Sequence, residues 1–265
     1  MQISNHSFLV TGAGSGIGRE LVKQLVNQGA KVAMVDIHES ALEETESLVD
    51  SSQVSKHVID ISNRESVKNL PDQISSTIGP VDGIINNAGI IQPFVDVNDL
   101  GFDTIEKIMT VNFYGTVNMT KTFLPLLLQR PEGHIANIAS MGGFIPFPGQ
   151  TIYSASKAAV KIFTEGLYSE LKNTNVGVTV IFPGAVDTNI MSNSGLKQPD
   201  ASDTEKSSFK PLPAPDAAAQ IITAIERNKF RATVGKDSRM LDLLYRFNPK
   251  MAVDTIVKKM SGMKH

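Results

Sequence analysis

His6-Ser7-Phe8-Leu9-Val10-Thr11-Gly12-Ala13-Gly14-Ser15-Gly16-Ile17-Gly18 is the stretch on which the fold turns. Its first six residues read as a β-strand, and a helical pattern runs from Gly16 to Gln28. The glycines between them leave bare backbone N–H groups at a helix N-terminus, the arrangement that a dinucleotide pyrophosphate needs. The spacing is Gly-x-x-x-Gly-x-Gly rather than the Gly-x-Gly-x-x-Gly of longer dehydrogenases. A glycine-rich turn alone is also an ordinary tight turn, so its surroundings decide. Asp36 ends the next strand, Lys31 to Asp36, 18 residues after Gly18. A carboxylate there accepts hydrogen bonds from the adenosine ribose and repels a 2′-phosphate. Ser15 and Ile37, which flank such a pocket, are not basic. The expected cofactor is therefore NAD rather than NADP.

Outward from this turn, strands and helices alternate. Further strands are read at Val54 to Asp60, Val81 to Asn86, Gly133 to Ala139, Val176 to Phe182 and Arg231 to Val234. Helices are read at Glu39 to Val49, Arg64 to Ile78, Phe102 to Leu128, Thr151 to Lys172 and Asp216 to Asn228. Repeated alternation of this kind predicts an α/β fold, a parallel sheet with helices on both faces. Asp60, followed by Ile61, could reach an adenine amino group, or it could cap the helix beginning near Arg64. Asn86-Asn87-Ala88-Gly89 ends the fourth strand, where small residues leave room for a cofactor ribose.

Tyr153 and Lys157 stand at i and i+4 of one helix, so both face one way. A phenol is a poor acid-base group at neutral pH, and a nearby ammonium lowers its pKa. Ser140 lies 13 residues before Tyr153, at a strand end, and Asn112 sits mid-helix. The topology directs all four toward the sheet edge that carries the glycine turn.

Together these motifs resemble the short-chain dehydrogenase/reductase family, in its branch of about 250 residues. The resemblance rests on Thr11 to Gly18, Asn86 to Gly89, Asn112, Ser140, Tyr153-x-x-x-Lys157 and Pro183-Gly184. It covers residues 6 to about 235. It implies a doubly wound Rossmann-type domain, seven parallel strands in the order 3-2-1-4-5-6-7, and a homodimer or homotetramer. By the same resemblance Tyr153 is the general acid or base, Lys157 lowers its pKa and holds the nicotinamide ribose, and Ser140 binds the substrate oxygen. Asn112 supports a water-linked proton path to Lys157. Pro183, Gly184, Val186 and Thr188 line the nicotinamide, alongside contacts from Gly12, Ser15, Gly16, Ile17, Gly18, Asp36, Ile37, Asp60, Ile61, Asn87, Ala88 and Gly89. The implied reaction interconverts a secondary alcohol and a ketone. A non-catalytic dinucleotide sensor on the same fold is the alternative, which loss of Tyr153 or Lys157 would favour; both are present. Ser154-x-x-Lys157 also matches a hydrolase nucleophile motif, but its companion motifs are missing.

The chain has 265 residues, 41% of them hydrophobic and 20% charged, with a net charge of −2. That balance excludes disorder and argues against nucleic-acid binding. With no cysteines, disulfides and thiol chemistry are excluded, and the five histidines show no metal-ligand spacing. No apolar run is long enough to span a membrane and no leader pattern opens the chain, so a cytoplasmic protein is expected. Residues 1–235 are read as one domain. Its polar Asn189 to Pro215 segment is expected to be a mobile substrate lid. Phe144, Ile145, Phe147, Ile190 and Met191 suggest a hydrophobic substrate.

Residues 236–265 read as a tail of two amphipathic helices, with Asn248-Pro249 starting the second. Their stripes, Met240-Leu243-Leu244-Phe247 and Val253-Ile256-Val257-Met260, are expected to be buried on the domain or a neighbouring subunit. The tail carries +4 and the rest of the chain −6, so contact with an anionic membrane is the alternative.

Overall fold

Strand β1 (Ser7–Thr11) lies at the middle of a parallel sheet, and its side chains show why. Phe8 and Val10 enter one hydrophobic cluster while Leu9 enters another on the opposite face. Val32 and Met34 of β2 (Lys31–Asp36) alternate with Ala33 and Val35 in the same way. A strand apolar on both faces must be covered on both, which forces a layer of helices on each side. The structure, a computed structural model, describes residues 1–196 and 210–260. Among these, β3 (Val54–Val58), β4 (Gly83–Asn86), β5 (Gly133–Ile138), β6 (Val176–Pro183) and β9 (Arg231–Val234) complete the sheet. Its order is β3-β2-β1-β4-β5-β6-β9, all parallel, as expected. Two-residue strands β7 (Val186–Asp187) and β8 (Leu212–Pro213) pair separately beyond the end of β6.

Helices α1 (Gly16–Asn27) and α9 (Ala214–Glu226) cover one face. Helices α4 (Leu70–Ile78), α6 (Gly115–Leu127) and α7 (Thr151–Leu171) cover the other. Asp216 lies inside the first turn of α9 and adds charge there rather than capping it.

Two expected helices are broken. Arg64 to Ile78 divides into α3 (Arg64–Lys68) and α4 at Asn69. Pro71 has no N–H to continue the ladder and fits the first turn of α4, where that N–H would have no partner. Phe102 to Leu128 divides into α5 (Phe102–Met109) and α6, joined by one wide turn of π-helix, Thr110–Tyr114. The third strand also stops short, at Val58 rather than Asp60.

The tail forms α10 (Lys236–Phe247) and α11 (Pro249–Met260), with Asn248 Oδ1 accepting from the Met251 N–H at 3.0 Å. Leu241, Ala252 and Ile256 pack on Ile145. The first expected stripe is rotated outward. Asp237, Ser238, Leu241 and Asp242 face inward, whereas Met240, Leu243 and Phe247 are exposed. Polar anchors accompany this rotation: the buried Asp237 and Asp242 bond the Ala185 N–H and the Arg231 guanidinium, and these contacts outweigh the apolar pattern. In the second stripe Ile256 is buried and Val257 exposed. The central part of the expected lid, residues 197–209, and the last five residues lie outside the described residues. Among the described residues no helix is long and apolar enough to cross a membrane.

Candidate active site

The glycine turn stands at the C-terminal end of β1, where an open parallel sheet receives ligands. Gly12 adopts φ +66°, a left-handed conformation that favours glycine. A Cβ on Gly18 would collide with the Gly12 carbonyl oxygen, so the helix start lies directly on the turn. Thr11 Oγ1 accepts from the N–H groups of Asn87 at 2.9 Å and Ala88 at 3.0 Å. Asn87 Nδ2 donates back to the Thr11 carbonyl at 3.0 Å. The turn and the Asn87-Ala88-Gly89 segment thus form one rigid floor.

Asp36 Oδ2 accepts from the Gly14 N–H at 3.0 Å, and Oδ1 from the His38 N–H at 3.1 Å. These bonds fix the carboxylate at the turn's edge. Arg19 is the nearby cation; it donates to the Gly14 carbonyl at 2.6 Å but spends its charge on Glu44, at 2.5 and 2.7 Å. Ile37 is exposed beside this edge.

Asp60 is exposed and does not cap α3, so that alternative is corrected. Its Oδ1 accepts from the Ser62 N–H at 2.8 Å and the Ser62 hydroxyl at 2.6 Å. Asn63 is the cap, accepting from Glu65 and Ser66 N–H groups at 3.0 and 3.2 Å. Ile61 turns its side chain into the core beside Gly115.

Beyond the floor, α7 brings Tyr153 and Lys157 to the end of β5. Lys157 is buried, and its Nζ donates to the Ile138 carbonyl at 3.0 Å. Ser140 follows β5, and its Oγ accepts from the Gly142 N–H at 3.0 Å. Burial pushes the Tyr153 phenol up from its ordinary value, and a hydrogen bond with Ser140 opposes that rise. Burial also lowers Lys157 to about 8. Burial therefore outweighs the lowering that the Tyr153/Lys157 spacing leads one to expect. The π turn carries the buried Asn112 into contact with both neighbours. Its Oδ1 accepts from the Ile90 N–H at 2.8 Å, and its Nδ2 donates to the Ile90 carbonyl at 2.9 Å and to Ser156 Oγ at 3.0 Å. A Cβ on Gly89 would lie 3.1 Å from Lys157 Nζ and 3.2 Å from Asn112 Oδ1. The floor, Lys157 and Asn112 thus meet at one point.

These residues lie in one crevice on one fold, and the sequence matches agree. The profile of the short chain dehydrogenase family matches residues 6–199. The chain belongs to the short-chain dehydrogenase/reductase family. It is 36% identical over 246 residues to the Mycobacterium tuberculosis oxidoreductase named SadH, covering 90% of this chain and 89% of the relative. A short-chain dehydrogenase/reductase from Burkholderia phymatum, solved in complex with NAD, aligns with TM-score 0.85 and 27% identity, covering 95% and 96% of the two chains. A short chain dehydrogenase from Burkholderia cenocepacia, solved with NADP, aligns with TM-score 0.81 and 25% identity, covering 97% and 99%. Family membership shows an oxidoreductase of this class.

Around this short-chain dehydrogenase site the structure adds residues that no motif marks. Gln92 is fully buried; its Oε1 accepts from the Tyr153 N–H at 2.9 Å and its Nε2 donates to the Gly149 carbonyl at 3.0 Å. Gln150 Nε2 donates to the Gln92 carbonyl at 2.7 Å. This pair pins the start of α7. No local pattern reveals it, because its partners lie far apart in the chain.

Asp237 is the second such residue. Past Pro183, the Ala185 N–H donates to Asp237 Oδ2 at 2.7 Å, and the carboxylate fills the space beside Gly184. Val186 then pairs with Leu212, and Thr188 packs over Gly16 at 3.2 Å from where a Cβ would stand. Short helix α8 (Ile190–Asn193) bridges the crevice. Asn193 Nδ2 donates to Ser15 Oγ at 2.8 Å, and Ser194 Oγ accepts from the Ile91 N–H at 3.0 Å. Phe144, Ile145 and Phe147, expected to face a hydrophobic substrate, instead pack against the tail helices.

Proposed function

We propose that the chain is an NAD(H)-dependent dehydrogenase/reductase that interconverts a secondary alcohol and a ketone. The observation that carries this reading is the convergence of Tyr153, Ser140, Lys157 and Asn112 beside the glycine floor. The cradle fits a dinucleotide: Gly12 and Gly18 leave no Cβ in the turn, and the first turn of α1 has no acidic side chain to repel phosphate. Asp36, without an unpaired cation beside it, favours a free ribose over a 2′-phosphate. Asn87 to Gly89, Pro183, Gly184, Val186 and Thr188 would flank the nicotinamide half.

When bound, the nicotinamide would supply the hydride acceptor for oxidation of the carbinol carbon and the hydride donor for the reverse. The protein's part is proton transfer. In reduction the Tyr153 hydroxyl would give its proton to the substrate oxygen; in oxidation its phenolate, once its own proton has left toward solvent, would take the proton of the substrate hydroxyl. Ser140 holds the substrate oxygen and the phenol together. At pH 7 Lys157 stays protonated, since its pKa is about 8. Its ammonium would favour the phenolate form of Tyr153 and would bind the nicotinamide ribose. Asn112 braces the Ile90 backbone and Ser156, and would align water leading to Lys157.

An apolar substrate suits the setting, because half-buried Ile190 and Met191 stand at the start of the expected lid. The exposed Phe102, Tyr114 and Ile162 fit assembly with a second copy. The test is a panel of secondary alcohols with NAD+ and NADP+, read as reduced nicotinamide. Turnover with NAD+ on apolar alcohols supports the reading; failure of every alcohol and ketone with either cofactor sinks it.

A further inference from the structure

Helix α10 has two faces of different chemistry. Its only acids, Asp237 and Asp242, both turn inward. Asp237 holds the Ala185 N–H, while Asp242 is shared by Arg231 at 2.6 Å and Arg246 at 3.2 Å. The outward face carries Lys236, Arg239, Met240, Leu243, Arg246 and Phe247, at spacings of three and four that line one side. Phe247 is 86% exposed, Leu243 62% and Met240 41%.

Large apolar residues interleaved with cations, and no acid among them, make the pattern of a helix that lies in a membrane interface. Among the described residues no helix can cross a bilayer, so the pattern is one of lying on it. We propose that the outer face of the tail docks the protein on an anionic lipid surface. Phe247, Leu243 and Met240 enter the boundary between headgroups and acyl chains, and Lys236 and Arg239 meet lipid phosphates. A second copy fits this patch less well, because a two-fold contact would set its cations against themselves. The charge of the whole chain agrees. Residues 1–235 carry −6, so an anionic surface attracts the tail and repels the body. The inner face of the same helices packs on Met141, Phe144 and Ile145, the segment after Ser140. A docked molecule therefore holds that segment about one helix diameter, ~10 Å, from the lipid.

The test is co-sedimentation of the full chain with phosphatidylcholine vesicles and with vesicles that also contain phosphatidylglycerol. Binding is expected only to the second, and is weakened by salt. Lys236→Gln with Arg239→Gln should lower partitioning about fivefold per charge. Leu243→Ser with Phe247→Ser should lower it roughly tenfold or more. Thermal unfolding should stay unchanged, because all four positions are exposed. Absence of binding to anionic vesicles overturns the proposal, as does equal binding by the variants. Light scattering that shows Leu243→Ser/Phe247→Ser breaking a larger assembly also overturns it, assigning the face to a subunit contact.

Discussion

Asp36 shows how much one side chain decides. Two backbone N–H groups hold its carboxylate at the edge of the glycine turn, and Arg19, which could have neutralised it, is committed to Glu44. A 2′-phosphate there would meet an uncompensated like charge. Asp36→Ala should therefore narrow the preference for NAD over NADP by about tenfold or more, as titration with both cofactors would show; an unchanged ratio would remove Asp36 from that role. Gln92 acts on the chemistry from further away, as a positioning residue. Gln92→Ala leaves the Tyr153 N–H and the Gly149 carbonyl without their buried partners. It should lower kcat by roughly tenfold or more while leaving NAD binding nearly intact; equal losses in both would mark a general loss of stability instead. Asp36 was legible in the sequence because it closes a strand at a fixed distance from a glycine turn. Gln92 was not, because its meaning lies in a contact 61 residues away.

Among elements, the joint between β6 and α10 has the clearest consequence. Asp237 accepts from Ala185 where the chain leaves β6 for the nicotinamide side, and Ser238 Oγ donates to the Phe182 carbonyl at 2.8 Å. The tail is thus bolted to the wall of the site. Asp237→Ala removes the acceptor of the Ala185 N–H and should cost about 1 kcal/mol by chemical denaturation, since Ala185 is exposed and water can replace the carboxylate. Affinity for NAD should fall with it, and an unperturbed variant would show that the joint is ornamental. The apolar spacing of the tail predicted its two helices and their Asn248 cap, but not which face turns inward. Periodicity reports that a helix has a stripe; here Asp237, Ser238 and Asp242 set the rotation through contacts with distant strands. The π turn at Thr110–Tyr114 escaped the sequence for a related reason. One widened turn leaves the hydrophobic spacing on either side intact, yet it delivers Asn112 to Ile90 and Ser156.

For the whole molecule, the parallel sheet and its two helical layers followed from the alternation of strands and helices, whereas the strand order followed from the family resemblance. The end of the sheet away from the site carries a different liability. His134 is buried at the start of β5, its Nε2 3.0 Å from Thr179 Oγ1, and burial lowers its pKa to about 3. The unfolded chain binds this proton from pH ~6.5 downward, and the folded chain only near 3. Folding stability should thus be unaffected by this group above pH ~6.5, and fall by up to about 1.4 kcal/mol per pH unit below it. His134→Gln should flatten that part of an acid-unfolding curve; an identical slope would assign the acid sensitivity to other groups. The account as a whole stands on Tyr153 moving the proton in an NAD-dependent reaction. Its most direct test is single-turnover oxidation of the best secondary alcohol by Tyr153→Phe, with NAD+ affinity measured separately. A rate lower by roughly 10²-fold or more at nearly unchanged NAD+ affinity is predicted; a rate close to that of the unaltered chain would contradict it.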